Sequence, residues 1–201
     1  RPIVSFVDVV GAYPGVEAEE RGQGIAIARN IAEMARLATS IIVVITGEGG
    51  SGGALAIGVG DKLIMLENAY FSVISPEGCA AILWKDGSRA QEAAEMLKLT
   101  APDLKAQGLI DEMLHEPQGA AHKDGIAMAR AIREAIIRGI DELSGIPLRR
   151  LIERRYARLR RIGEFAVREI SASDLPMAAA GNEDMPITPD LPDLEGGCDE
   201  T

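Results

Sequence analysis

Residues 47–54 read Gly-Glu-Gly-Gly-Ser-Gly-Gly-Ala, set between the apolar run Ile41 to Thr46 and a second apolar run from Ala54. Five of the seven residues from Gly47 to Gly53 are glycine. Each glycine loses more freedom on ordering than any other residue, roughly 0.5–1 kcal/mol relative to alanine inside a regular element. A chain keeps them where its backbone turns sharply or passes close to a ligand. Uncovered N–H groups, with the positive dipole end of a following helix, suit an anion. They also suit an oxyanion that exists only while a reaction proceeds. On the glycines alone, a tight strand-to-helix turn with no chemistry is the simpler account.

Two further clusters could border such a site. Gly11-Ala12-Tyr13-Pro14-Gly15 follows an apolar strand-like run, the place where α/β sheets bind ligands. It also reads as a simple strand-ending turn. Pro76-Glu77-Gly78 after Ser75 has the pattern of a helix start, with proline in the first helical position. Glu48 reads as a carboxylate bracing the glycine loop. His115 and His122 carry no neighbouring acidic pattern that would make them metal ligands, and they read as surface or capping residues. Cys79 reads as a small buried apolar residue. No Ser/His/Asp set and no paired carboxylates stand out, so chemistry would fall to backbone amides.

The elements that must position these residues follow from hydrophobic periodicity. Ile3 to Val10, Ile41 to Thr46, Lys62 to Leu66, Tyr70 to Ile74 and Leu109 to Leu114 read as strands. Residues 17–38 read as one helix, with Ile27, Ile31, Met34 and Ala38 on one face. Shorter helices are expected from Ala54 to Val59, from Pro76 through Ile82, and over 88–98 and 102–107, with Gly108 as a C-cap. Residues 124–143 form an amphipathic helix carrying Met128, Ile132, Ile136, Ile140 and Leu143. A last helix covers 147–162. Its seven arginines suggest a solvated face or a subunit contact. Strands that are near-continuous apolar runs, alternating with helices, predict an α/β domain around a largely parallel sheet.

The 201 residues fit one domain with an appendage. Net charge is −10, but residues 164–201 hold ten acidic residues and one basic residue, which leaves the preceding part near neutral. Those last residues lack periodicity and are expected to form a disordered acidic tail. No run approaches the roughly 20 apolar residues of a membrane span. Two cysteines, Cys79 and Cys198, make neither a disulfide framework nor a metal site, and a reducing, cytoplasmic setting is the default.

Taken in order, several segments resemble the α subunit of the carboxyltransferase component of bacterial-type acetyl-CoA carboxylase. They are Gly11 to Gly15, Ala18-Glu19-Glu20-Arg21-Gly22-Gln23, Gly47 to Gly58, Ser75 to Ala80, Gly108-Leu109-Ile110-Asp111, Glu116-Pro117 and Arg154-Arg155-Tyr156. The likeness covers residues 1–163. Asp8-Val9-Val10-Gly11 departs from the Asp-Thr-Pro-Gly usual in that family. The family's chain is also longer at its N-terminus, so residues 1–163 would be a carboxyltransferase domain lacking its first part.

The resemblance implies a crotonase-like fold, a spiral of β-β-α units. It implies transfer of a carboxyl group from carboxybiotin on a carrier protein to acetyl-CoA, giving malonyl-CoA for fatty acid synthesis. Gly52 and Gly53 would then be the catalytic pair of amides holding the ureido oxygen of biotin. Gly49, Gly50 and Ser51, with Gly11, Ala12, Tyr13, Pro14, Gly15, Pro76, Glu77 and Gly78, would bind substrate. Expected partners are a zinc-containing carboxyltransferase β subunit, in an α2β2 core, with biotin carboxyl carrier protein and biotin carboxylase. No metal is expected on this chain. A carboxyltransferase subunit for another acyl-CoA, or a non-catalytic partner half of such an enzyme, stays open.

Overall fold

The computed structural model describes residues 1–163. The acidic segment 164–201, expected as a tail, lies outside the described residues. Five strands form one parallel sheet: β1 (Ile3–Val9), β2 (Ile41–Gly50), β3 (Lys62–Leu66), β4 (Tyr70–Ser72) and β5 (Glu112–Leu114). Their order is β1-β2-β3-β5, with β4 paired to the far end of β2.

β2 is the axis of the molecule. Its first half, Ile42 to Ile45, lies between β1 and β3. Its second half leaves β3 and takes β4 as partner, in the register Glu48↔Tyr70, Gly49↔Phe71 and Gly50↔Ser72. The side chains of Ile41, Ile42, Val43, Val44 and Ile45 are at most 1% exposed, so both faces of the strand are covered. Val7, Ile64 and Met65 join them in the core. Each such side chain contributes roughly 1.5–3 kcal/mol on burial.

The expected single helix over 17–38 is two: α1 (Val16–Glu20) and α2 (Gln23–Arg36). Gly22 separates them at φ +79°, a left-handed conformation that glycine adopts without strain. Next come α3 (Ser51–Ile57), α4 (Pro76–Trp84), α5 (Ala90–Leu97) and α6 (Ala101–Ala106). Two longer helices, α7 (Gly125–Ser144) and α8 (Leu148–Arg160), complete the described residues. Met128, Ala135, Gly139 and Leu143 are the buried face of α7.

One arginine of α8 departs from the reading of that helix as a solvated face, while Arg149, Arg150, Arg154, Arg160 and Arg161 are exposed. Arg155 is 1% exposed. Its guanidinium meets both carboxylate oxygens of Asp61, at 2.9 and 2.7 Å. It also donates to the carbonyls of Met34, Leu37 and Thr39 at 2.8, 2.9 and 2.6 Å. Those carbonyls lie at and just past the C-terminus of α2, where the helix leaves acceptors without internal partners and favours a cation. Asp61 in turn accepts from the N–H of Ile41, at the start of β2.

The same device recurs one strand on. The carboxylate of Asp111 accepts from the N–H of Leu63 at 2.7 Å and from Arg158 at 2.8 Å. The Asp61 and Asp111 N–H groups donate back to Ile41 and Leu63, each at 2.8 Å. Arg155 and Arg158, three residues apart on one side of α8, thus read two equivalent aspartates.

Candidate functional site

The glycine-rich stretch is not a turn. Gly47 to Gly50 continue β2, and the change of direction is made in one step at Ser51. Ser51 adopts φ +44°, a left-handed conformation that costs an L-residue roughly 1–2 kcal/mol. The strain is what folds a buried strand straight into a helix. Nothing in the residue type announced it.

The glycines at this corner answer to close neighbours. A Cβ on Gly50 would lie 2.0 Å from the Val10 carbonyl oxygen. A Cβ on Gly53 would lie 2.8 Å from the Gly11 carbonyl carbon and 3.0 Å from the Ala12 nitrogen. The turn over 11–15 is therefore packed directly on the corner. Gly52 differs: its nearest neighbour would be Ile27 Cδ1 at 3.8 Å, an ordinary contact. The space beside Gly52 can admit another group without displacing backbone.

Gly52 and Gly53 are the second and third residues of α3. Their N–H groups belong to the first turn, which has no acceptor inside its own helix. No side chain caps this end, and no turn or loop carbonyl among the described residues accepts from either N–H.

A cleft of about 280 Å³ opens beside the corner, lined among others by Gly50, Ser51, Pro76 and Glu77. The structure thus brings two of the three sequence clusters to one place. Ser75 caps α4 by accepting from the Gly78 N–H at 3.1 Å, and this cap turns Pro76 and Glu77 toward the cleft. Gly52 and Gly53 follow immediately behind its Ser51 wall and do not line it. Of the 11–15 cluster, Gly11 lies 3.8 Å from the Gly50 carbonyl oxygen by the same measure. Tyr13 faces a separate hollow with Glu17, Ala18, Arg21 and Gln23. Ala12, Pro14 and Gly15 complete the turn.

Several residues of the cleft were not singled out for a site by the sequence: Val10, Tyr70, Ser72, Ile74 and Leu99 share its wall with the helix-capping Ser75. Burial, reinforced by the carboxylates of Glu48 and Asp8, pushes the Tyr70 phenol above its ordinary range, so it stays neutral at physiological pH. Its place opposite Glu48 in the β2–β4 ladder is visible only in the fold. A second hollow of about 230 Å³, mostly apolar, lies on the other side of Ser51 and Ser72, toward Leu55, Phe71, Leu97 and Leu109.

Two lesser expectations change and one stands. Glu48 is a strand residue exposed to solvent, and its N–H is braced by Asp8 at 2.9 Å rather than bracing the loop itself. Cys79 is half-buried. His115 lies at the surface 3.3 Å from Glu67, as expected of a surface histidine.

Solved structures share the overall architecture of the described residues. One chain of a Pseudomonas malonate decarboxylase hetero-tetramer, in complex with coenzyme A, superposes with a TM-score of 0.65 at 21% identity, over 80% of this chain and 66% of that one. The transcarboxylase 12S structure with methylmalonyl-coenzyme A gives 0.59 at 22% identity, over 71% of this chain and 27% of that one. At these identities the likeness is one of fold, and it defines a partial crotonase-like α/β domain. Residues 1–163 also match the family described as acetyl co-enzyme A carboxylase carboxyltransferase-like, and the chain belongs to that family.

Its curated relatives are close. The acetyl-coenzyme A carboxylase carboxyl transferase subunit alpha of Geobacter metallireducens is 59% identical over 165 residues, 82% of this chain and 52% of that protein. The subunit of the same name in Clostridium acetobutylicum is 53% identical over 169 residues, 84% of this chain and 62% of that protein. The chain spans about half the length of the first of these relatives. Among the described residues, no helix is long and apolar enough to cross a membrane.

Proposed function

We propose that this chain is the α side of a biotin-dependent carboxyltransferase that forms malonyl-CoA from acetyl-CoA. The observation that carries it is identity of 51–59% over 164–165 residues to proteins named as that subunit. Carboxybiotin, presented by a carrier protein, supplies the carboxyl group. The chain's own contribution is electrostatic. As the carboxyl group leaves, negative charge gathers on the ureido oxygen of biotin. Two fixed N–H donors at Gly52 and Gly53 stabilise that charge more than they stabilise the neutral urea.

The residues fit the task in two respects. The first-turn amides of α3 are not claimed by turns or side chains. The space at Gly52 is open. Gly50, Ser51, Pro76 and Glu77 wall the approach, while Gly11 to Gly15 hold the corner from behind. The acyl-CoA side falls to a zinc-containing β subunit in an α2β2 core. Biotin carboxyl carrier protein and biotin carboxylase complete the system, in the cytoplasm, at the entry to fatty acid synthesis.

Reconstitution tests this reading. The full-length protein, purified with its β subunit, is assayed for malonyl-CoA-dependent carboxylation of biotin and for the reverse transfer to acetyl-CoA. Turnover that requires both subunits is expected. Robust turnover of another acyl-CoA with none of acetyl-CoA, or turnover by the β subunit alone, would overturn it.

A further inference from the structure

Gln23 makes a contact that none of the roles above uses. Its side-chain amide grips the main chain of Tyr13 from both sides: Nε2 donates to the Tyr13 carbonyl at 2.8 Å, and Oε1 accepts from the Tyr13 N–H at 3.2 Å. A primary amide matched to both polar groups of one residue imitates a step of β-ladder. The grip is possible because Gly22, in its left-handed conformation, ends α1 and starts α2 with Gln23 as first residue.

Tyr13 is the centre of the 11–15 turn, and that turn is the back wall of the corner. Gly11 and Ala12 lie against Gly53 so closely that a single methyl would collide with them. Val10 lies against Gly50 in the same manner. The corner itself is strained at Ser51, and a strained conformation persists only where its surroundings hold it. A strut that fixes the turn therefore helps fix the direction of the Gly52 and Gly53 amides.

We infer that Gln23 is a positioning residue: by clamping the Tyr13 backbone it holds the 11–15 turn against the Gly50–Gly53 corner and so keeps the two amides aimed. The inference rests on the proposed role of those amides. Gln23 touches no reacting atom. Its effect is on the geometry of the transition state and not on acyl-CoA binding, which lies elsewhere.

The test compares Gln23→Ala and Gln23→Glu with wild type in the complete α–β enzyme. Glutamate keeps the acceptor for the Tyr13 N–H and loses the donor to the carbonyl. In Gln23→Ala, kcat for carboxyl transfer is expected to fall about tenfold, since small misplacements of catalytic groups carry penalties of this order. The KM for acetyl-CoA is expected to hold. Amide hydrogen exchange should quicken in residues 11–15 and, with them, 50–55, while the β2–β3 core is unchanged. Gln23→Glu should fall between. Unchanged kcat in Gln23→Ala, or faster exchange at 11–15 that does not spread to 50–55, would overturn the inference. A lower kcat with slow exchange at both segments would also overturn it. Wild-type enzyme without carboxyl transfer would sink the proposed function instead. The exchange measurements need no turnover and separate the two failures.

Discussion

Two adjacent glycines at the corner have opposite reasons to be glycine. Gly53 is hemmed in by the backbone of Gly11 and Ala12, while Gly52 faces open space. Alanine at 52 gains helix propensity, up to about 1 kcal/mol, and meets no obstruction. Alanine at 53 must push the turn away. Thermal melting should therefore be unchanged or raised for Gly52→Ala and lowered for Gly53→Ala, with carboxyl transfer reduced in both. Equal melting temperatures would mean that the turn is not packed on Gly53. Full transfer activity in Gly52→Ala would mean that no ligand uses the space beside it. This distinction was not legible in the sequence, where the two glycines are identical neighbours. What the glycine run did announce, a backbone approached closely at the end of a buried strand, is there.

Among the elements, α8 is held by two arginines that span the starts of successive strands. Arg155 donates through all three of its nitrogens in fixed directions, which a lysine ammonium on a flexible stem cannot reproduce. Arg155→Met should destabilise the fold by about 3–5 kcal/mol, because it leaves Asp61 buried without its counter-charge. Arg155→Lys should recover little of that loss, as measured by urea unfolding. A lysine variant as stable as wild type would reduce the clamp to a point charge. Strand and helix positions were legible because apolar periodicity is a local property of each element: Lys62 to Leu66 and 148–160 fall where apolar spacing places them. The clamp was not, since Arg155 and Asp61 are 94 residues apart and seven arginines on one helix look alike until one is buried. The extension of β2 to Gly50 was missed for a related reason. Glycine has little strand propensity, and its pairing with β4 is a tertiary fact.

At the scale of the whole molecule, several carboxylates hold hydrogen bonds and ion pairs in loops and on α2, and acid should weaken them. Burial raises the pKa of Glu116, but hydrogen bonds from the Asn68 and Ala121 N–H groups, with His122 nearby, more than offset it and hold the carboxyl below its ordinary value. Glu33, bonded to Arg36, and Asp86, bonded to Ser88, are lowered as well. A carboxylate with a depressed folded pKa stabilises the fold above its unfolded pKa, and the contribution is lost as pH falls through the folded one. The urea midpoint should therefore decline as pH drops below the normal carboxylate range, less steeply in Glu116→Gln. A midpoint that rises on acidification would contradict this assignment. The central proposal is that the Gly52 and Gly53 amides meet a charge that appears on biotin. An experimental structure of the complete enzyme with a biotinylated carrier domain docked tests it most directly. The ureido oxygen should lie about 2.7–3.1 Å from both nitrogens. A ureido oxygen seated on a side chain or on the partner subunit, with both amides facing water, would contradict it.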